Sequence, residues 1–117
     1  MYDSEYGDAR LPTELWVKAH LRRCFAEGIP ATVVKRGEKM GGLLLLKLSM
    51  GANGSRLLNQ TRDSSGRQAW LPALKGEAVG EADADDYIER AIRRDPDIWV
   101  VEIEHPEGWH PFEGKIL

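Results

Sequence analysis

Apolar side chains recur at helical spacing in the first long segment of the chain, LPTELWVKAHLRRCFAEG (residues 11–28). At 100° per residue they fall on one face, which predicts a helix that begins at Pro12 or Thr13 and ends before Gly28. The residues predicted to face the core are Trp16, Val17, His20, Leu21, Cys24 and Phe25.

A second amphipathic helix is predicted for residues 83–94. Asp83 is a favourable N-cap, acidic residues follow in the first turn, and arginines fill the last turns, as the helix dipole favours. Asp95 precedes Pro96, and a residue before proline avoids the helical conformation, so the helix is expected to end there. The apolar stripe comprises Ala84, Tyr87, Ile88, Ala91 and Ile92.

Between the two helices, four short apolar runs alternate with turns that contain glycine. Runs of this length, bounded by turn residues, are typical of β-strands. Three consecutive turns predict a four-stranded antiparallel meander, followed by a loop at residues 72–82. The runs are IPATVVKRG, GLLLLKLSM, SRLLNQTRD and RQAWL, and the turns between them are GEKMGG, GANGS and DSSGR.

The last strand is predicted in DIWVVEIEH (residues 97–105). Side chains alternate between the two faces of a strand, so one face carries Trp99, Val101 and Ile103. The opposite face carries Ile98, Val100, Glu102 and Glu104. Because the first half is apolar on both faces, the strand is expected inside the sheet, with its carboxylates towards solvent.

Together these elements predict an α+β fold of order α-β-β-β-β-α-β. Its two helices are expected to pack on one face of a mainly antiparallel sheet of about five strands. With 117 residues the chain is long enough for one core, so a single domain is expected at residues 11–104. Residues 1–10 are expected to form a flexible leader, and residues 105–117 an irregular C-terminal tail.

Charge is divided unevenly along the chain, whose net charge is −3. Residues 14–75 hold eleven Lys/Arg and four Asp/Glu, which gives +7, whereas residues 76–117 hold four and twelve, which gives −8. The two halves are therefore expected to meet, within one chain or across a homodimer. The acidic helix at residues 83–94 and the strand-end pair Glu102 and Glu104 need countercharges, and the expected basic partners are Arg22, Arg23, Lys35 and Arg36.

The single cysteine, Cys24, cannot form an intramolecular disulfide, so a reducing cytoplasm is the expected compartment. The composition, with 42% hydrophobic and 30% charged residues, is ordinary for a soluble protein. Its longest apolar run is far shorter than the roughly 20 residues of a membrane helix. No membrane association is expected.

The segments LWVKAHLRRC, KRGEKMGG, RQAW and RDPDIWVVEIE, in this order and spacing, resemble a known protein family. It is a family of small alphaproteobacterial proteins filed as a domain of unknown function, number 1491, and the resemblance covers about residues 11–104. It implies a small cytoplasmic bacterial protein of α+β type. It carries no activity, cofactor or catalytic residue onto this chain.

Motifs for nucleotide and metal chemistry are weak. The chain lacks G-x-x-x-x-G-K-[ST], G-x-G-x-x-G and G-x-S-x-G, so a nucleotide-dependent enzyme is not expected. His20 and Cys24 stand at i and i+4 on one helix face, and His105 and His110 are possible further ligands. These four residues lack the compact spacing of structural zinc sites, so neither a metal nor another cofactor is predicted.

Two alternative functions remain open. A small enzyme or metal site would use Glu102 and Glu104, about 7 Å apart by the strand rise, with His20, Cys24 and His105. Because no such arrangement is complete, no catalytic residue is predicted. The other alternative is single-stranded nucleic-acid binding, against which the acidic net charge argues. Its residues would be Arg56, Arg62, Arg67 and Trp70.

A non-catalytic binding or assembly module is the preferred prediction. Tryptophan is favoured at interface hot spots, and the chain has four. The tail PEGWHPFEG is expected either to cover its own sheet or to dock on a partner as an extended segment. The residues predicted to contact an unknown protein or a second copy are Trp70, Trp109, Phe112, Arg22, Arg23, Arg36, Glu102 and Glu104.

Overall fold

A computed structural model describes residues 11–117, which form two α-helices and six β-strands; the predicted leader lies outside them. Helix α1 spans Thr13–Ala26 and helix α2 spans Glu81–Arg94. The strands are β1 (Ala31–Lys35), β2 (Leu44–Ser49), β3 (Ser55–Arg62), β4 (Gln68–Pro72), β5 (Trp99–Glu104) and β6 (Lys115–Ile116). All six join one sheet in the order β1-β5-β2-β3-β4-β6.

The sheet is mixed, which corrects the expectation of a four-stranded meander. Strands β2, β3 and β4 pair antiparallel as predicted, and β1 pairs antiparallel with β5. Strand β5 lies between β1 and β2 and runs parallel to β2, while the short β6 runs parallel to β4. The predicted hairpin between β1 and β2 is therefore wrong, and the prediction that β5 lies inside the sheet is confirmed.

Two glycines in the connection between β1 and β2 explain why these strands separate. Glu38 in this connection donates its backbone N–H to the carbonyl oxygen of Asp97, just before β5, at 2.9 Å. A Cβ atom at Gly37 would lie 2.3 Å from that oxygen, and one at Gly42 would lie 2.4 Å from it. Only a residue without a side chain allows this approach. The glycines predicted to form a hairpin turn thus make room for β5.

The two helices pack on opposite faces of the sheet, which corrects the expectation that both lie on one face. Strands β2 and β5 are apolar on both faces, so each face needs a cover. The α1 side of the core contains Val17, Cys24, Leu44, Leu46, Leu48, Leu58, Trp70, Trp99, Val101, Ile103 and Phe112. The α2 side contains Leu45, Leu57, Ala73, Ala84, Ile88, Ala91, Ile98 and Val100.

Helix α1 begins at Thr13, and Gly28 follows it with a φ of +72°, as predicted. The predicted core face is too wide, however, because Phe25 is 60% exposed. Its neighbour Cys24 points into the core, and the next residue of a helix is rotated by about 100°. Neither helix in residues 11–117 is long and apolar enough to cross a membrane.

Helix α2 begins at Glu81, two residues before the predicted N-cap Asp83, and Gly80 takes the N-cap position. In the first turn, the Glu81 carboxylate accepts a hydrogen bond from Lys47 on β2, which connects the start of the helix to the sheet. The helix ends at Arg94, before Asp95, as predicted.

The C-terminal tail folds back onto the α1 face of the sheet. It is irregular as far as Gly114 and then adds β6 beside β4. Phe112 is 5% exposed, and the indole N–H of Trp70 donates to the carbonyl oxygen of Glu113 at 2.9 Å. The tail therefore packs on its own domain.

Candidate functional site

A cleft of about 300 Å³ opens where the carboxyl ends of β2 and β5 meet. We call it the strand-end cleft. Backbone hydrogen bonds assemble it, since the N–H of Glu104 donates to the carbonyl oxygen of Pro30 and that of His105 to the carbonyl oxygen of Ser49. The lining residues are Pro30, Ser49, Met50, Gly51, Glu104, His105 and Pro106.

The imidazole of His105 is held in place at the edge of this cleft. Its Nδ1 accepts the backbone N–H of Glu107 at 3.1 Å, and its ring lies 6.0 Å from that of the half-buried Trp109. A neutral imidazole whose Nδ1 accepts a hydrogen bond carries its hydrogen on Nε2. His105 can therefore donate one hydrogen bond from Nε2.

Glu104 and Glu102 lie on the same strand face, but their electrostatic surroundings differ. The carboxylate of Glu102 lies 3.7 Å from the ammonium of Lys47. No ion pair joins Glu104 to a cation in the part of the chain that the structure describes. The strand-end cleft thus holds a carboxylate whose charge is not compensated by a described basic side chain.

Lys47 is buried on β2, with 4% of its side chain exposed, beneath the first turns of α2. Its ammonium lies 2.5 Å from Glu81 Oε2 and 3.8 Å from Asp85 Oδ1. Burial alone lowers the pKa of Lys47. The hydrogen bond to Glu81 and the charges of Glu102, Glu81 and Asp85 outweigh burial, so the pKa lies above its ordinary value of 10.5.

A second concave feature lies beside β6. It is a cavity of about 120 Å³ lined by Arg56, Leu57, Leu58, Pro72, Gly76 and Ile116. Of its lining residues, Ile116 is 57% exposed to solvent. Three further large apolar side chains on β4, just after it and just after β6 are exposed by 37% to 51%: Leu71, Leu74 and Leu117. We call this cavity and these four side chains the β6 edge.

The backbone at the β6 edge is strained. Leu74 and Lys75 have φ values of +51° and +60°, and Gly76 continues the same left-handed conformation at +76°. Left-handed geometry costs a non-glycine residue about 1–2 kcal/mol. Such strain persists only where the surroundings hold it, and it is enriched at binding sites.

The aromatic residues predicted to contact a partner have different locations. Trp70 is fully buried and Phe112 nearly so, because both belong to the α1 side of the core. A fully buried Trp70 is not available to contact a partner or to stack on a nucleic-acid base, which corrects both predictions for this residue. Trp109 is half-buried, packs against the same core and lies next to His105 of the strand-end cleft.

The predicted charge pairs do not form within the described chain. Arg36 pairs instead with Glu14 and stands over the Trp99 ring at 5.6 Å. The ammonium of Lys35 donates to the carbonyl oxygens of Pro96 and Ile98 at 2.8 and 3.1 Å. Arg22 and Arg23 are exposed on α1. The basic and acidic halves nevertheless meet within one chain, through Lys47.

The candidate nucleic-acid residues do not form one surface with an aromatic platform. Arg56 and Arg62 stand at opposite ends of β3, about 20 Å apart by the strand rise. Arg67 is exposed in the β3–β4 turn, and Arg62 donates to the carbonyl oxygen of Gly66 in the same turn. Trp70, which would stack on a base, is inside the core.

In the enzyme or metal alternative, the sheet separates His20 and Cys24 from Glu102, while Glu104 and His105 lie together in the strand-end cleft. His20 and Cys24 lie on the α1 side, and burial raises the pKa of the Cys24 thiol above its ordinary value. Glu102 faces α2. His20 Nδ1 donates to the carbonyl oxygen of Trp16 at 2.8 Å. Over residues 11–117, no group of three or more His, Cys, Asp or Glu side chains is placed to hold a metal ion.

Sequence reasoning missed Lys47 and Ser49. A lysine in the middle of the apolar run LLLLKLS was the available signal, since a buried charge needs partners. Ser49 had no local signal, because the cleft brings together segments that are far apart in the chain.

The fold and these sites define a small α+β protein with a mixed six-stranded sheet covered by one helix on each face in the described region. The chain belongs to the DUF1491 family, whose model is described as a protein of unknown function and matches residues 11–113. No curated protein matches the chain.

Solved structures of similar proteins agree with this assignment. A crystal structure of a DUF1491 family protein from Caulobacter crescentus CB15 has 36% sequence identity and a TM-score of 0.81, over 92% of this chain and 99% of that one. An NMR structure of a DUF1491 family protein from the same organism has 37% identity and a TM-score of 0.78, over 92% and 96%. A solution structure of a protein from A. tumefaciens has 30% identity and a TM-score of 0.68, over 82% and 86%.

Proposed function

We propose that this chain is a non-catalytic binding module that acts through protein–protein contacts at the β6 edge. The observation that carries the proposal is the concentration of exposed apolar side chains beside a small cavity. Contiguous apolar patches with polar rims mark interaction sites on soluble proteins. Here the rim carries the exposed charges of Arg56, Lys75 and Glu113.

The β6 edge supports side-chain packing rather than the addition of a strand. β6 has only two residues, which offers few backbone groups to a partner strand. At the opposite edge, β1 has an irregular register between Val33 and Lys35, and Lys35 covers the end of the strand. Short strands, bulges and lysines are the devices by which proteins block edge pairing.

A second copy of the chain is the partner that fits this surface. A cavity of about 120 Å³ has the size of one apolar side chain, and the exposed Leu74 and Leu117 lie within two residues of its lining residues Gly76 and Ile116. A surface that carries both a cavity and side chains to fill it is self-complementary, as a two-fold symmetric dimer requires. Buried apolar side chains at the centre and charges at the rim are the usual anatomy of such an interface.

Sedimentation equilibrium over a range of protein concentrations tests the proposal. The unmodified chain is expected to form a dimer, and Ile116→Glu is expected to shift it to monomer, because a charge would be buried at the contact. Leu15→Glu is the matched control, since Leu15 is 53% exposed on α1 and Ile116 is 57% exposed. A chain that is monomeric throughout, or a dimer lost equally in both variants, would refute the β6-edge dimer.

A further inference from the structure

We infer that the strand-end cleft is a binding site for one cationic side chain, arginine or lysine, presented by an extended polypeptide segment. The inference does not rest on the proposed dimer, because the residues that line the cleft and those that line the cavity of the β6 edge have no member in common.

The position of the cleft is the first support. In open α/β sheets, ligands bind beyond the carboxyl ends of parallel strands, and a parallel pair within a mixed sheet offers the same kind of crevice. β2 and β5 are such a pair, with Ser49 aligned to Glu104 at their last positions. The volume of about 300 Å³ is at the lower limit for ligand pockets, which suits a single side chain rather than a large cofactor.

Charge selects the class of ligand. Glu104 lines the cleft, is exposed to solvent and forms no ion pair within residues 11–117, whereas the half-buried Glu102 on the same strand is paired with Lys47. Glu107, which is exposed two residues beyond the cleft residue His105, adds a second negative charge. This electrostatic surface disfavours phosphates and other anions and favours a positively charged group.

The cleft walls select the shape of the ligand. Pro30, Met50 and Pro106 offer apolar contact, which matches the methylene stem of lysine or arginine below its charged head. The Nε2–H of His105 and the hydroxyl of Ser49 are donors that a peptide carbonyl oxygen would satisfy. A peptide residue with a basic side chain combines all three features.

A metal ion does not fit the same position. The cleft presents one carboxylate and one imidazole, and the Nδ1 of that imidazole is already an acceptor for the Glu107 N–H. Tight metal sites in proteins require three or four ligands with defined geometry.

The test is a titration of the isotope-labelled chain, residues 1–117, followed by amide NMR shifts. Two tripeptides serve as probes, acetyl-glycyl-arginyl-glycinamide and its citrulline analogue, which has nearly the same shape and no charge. The arginine peptide is expected to shift the amides of residues 49–51 and 104–106 saturably, with a dissociation constant on the order of 1 mM. The citrulline peptide is expected to leave them unchanged.

Two variants locate the charge that is recognised. Glu104→Gln is expected to weaken binding of the arginine peptide at least about tenfold, because a charge-assisted hydrogen bond is lost. Glu89→Gln removes an exposed carboxylate on α2, outside both proposed surfaces, and is expected to bind as the unmodified chain does. Unchanged shifts at residues far from the cleft show that each variant is folded.

Three results would overturn the inference. They are equal shifts with arginine and citrulline, no shifts at the cleft with the arginine peptide, and unchanged affinity in Glu104→Gln. Putrescine, a free diamine, is titrated in parallel. Shifts of the cleft amides by putrescine but not by the peptide would assign the site to free amines and refute a polypeptide ligand.

Discussion

The imidazole of His20 lies nearly parallel to the phenyl ring of Phe112, with ring centroids 4.5 Å apart and an angle of 11° between their planes. This stacking joins helix α1 to the C-terminal tail. Trp16 and Trp70 also pack against the Phe112 ring in T-shaped arrangements. Their ring centroids lie 5.1 and 6.0 Å from that of Phe112. The tail is therefore part of the core rather than an appendage.

Removing the Phe112 ring should destabilise the folded protein. We expect Phe112→Ala to lower the free energy of unfolding by about 3 kcal/mol, because a large cavity opens in the core. Phe25→Ala is a matched control, since Phe25 is 60% exposed and Phe112 is 5% exposed. It should change stability by no more than about 0.5 kcal/mol. Urea unfolding measures both, and equal effects would contradict the packing of the tail.

Acidification should weaken the fold through His110. Burial, and to a smaller extent the charge of His20, lowers the pKa of His110 below its ordinary value of 6.5. The unfolded chain therefore takes up a proton at a higher pH than the folded chain. Stability should fall as the pH drops below about 6.5 towards the lowered pKa.

Thermal unfolding from pH 7 to pH 5 checks this dependence. His110→Gln should remove part of the acid-induced loss, because no imidazole is left to titrate at that position. The same substitution at His105, outside the Phe112 cluster, is the control and should leave the loss in place. If both variants behave alike, His110 is not its source.

The fold should tolerate an apolar residue in place of Lys47, but it should not tolerate Lys47 without its acidic partners. We expect the triple variant Glu81→Gln, Asp85→Asn, Glu102→Gln to lose about 3 kcal/mol at neutral pH, because a buried ammonium loses its charged partners. Adding Lys47→Met should restore most of the loss, since an apolar side chain of similar length needs none. Chemical denaturation of the two variants is the measurement. A triple variant as stable as the unmodified chain would show that Lys47 is solvated.

The adjacent glycines Gly41 and Gly42 of the β1–β2 connection should differ in how well they tolerate a side chain. We expect Gly42→Ala to destabilise the fold by at least about 2 kcal/mol, because its Cβ would lie 2.4 Å from the Asp97 carbonyl oxygen. Gly41→Ala is the control, since nothing lies within 4 Å of a Cβ there. It should be within about 0.5 kcal/mol of the unmodified chain by thermal or urea unfolding. Equal stability of the two would contradict the close approach to β5.

The sequence alone determined most of the local structure. The start of α1 at Thr13, its end before Gly28 and the end of α2 before Asp95 follow from capping and proline signals carried by neighbouring residues. The interior position of β5 follows from its apolar residues on both faces. These features were predictable because their physical causes act within a few residues of one another.

Only the tertiary structure decided how the elements are arranged. The insertion of β5 between β1 and β2 depends on contacts between the first connection and Asp97, about 60 residues later in the chain. The placement of the helices on opposite faces and the burial of Trp70 beneath the tail also depend on contacts between distant segments. The strand-end cleft joins segments around Pro30, Ser49 and Glu104. Local pattern carries no information about such pairings, because their free energy arises only when distant segments meet.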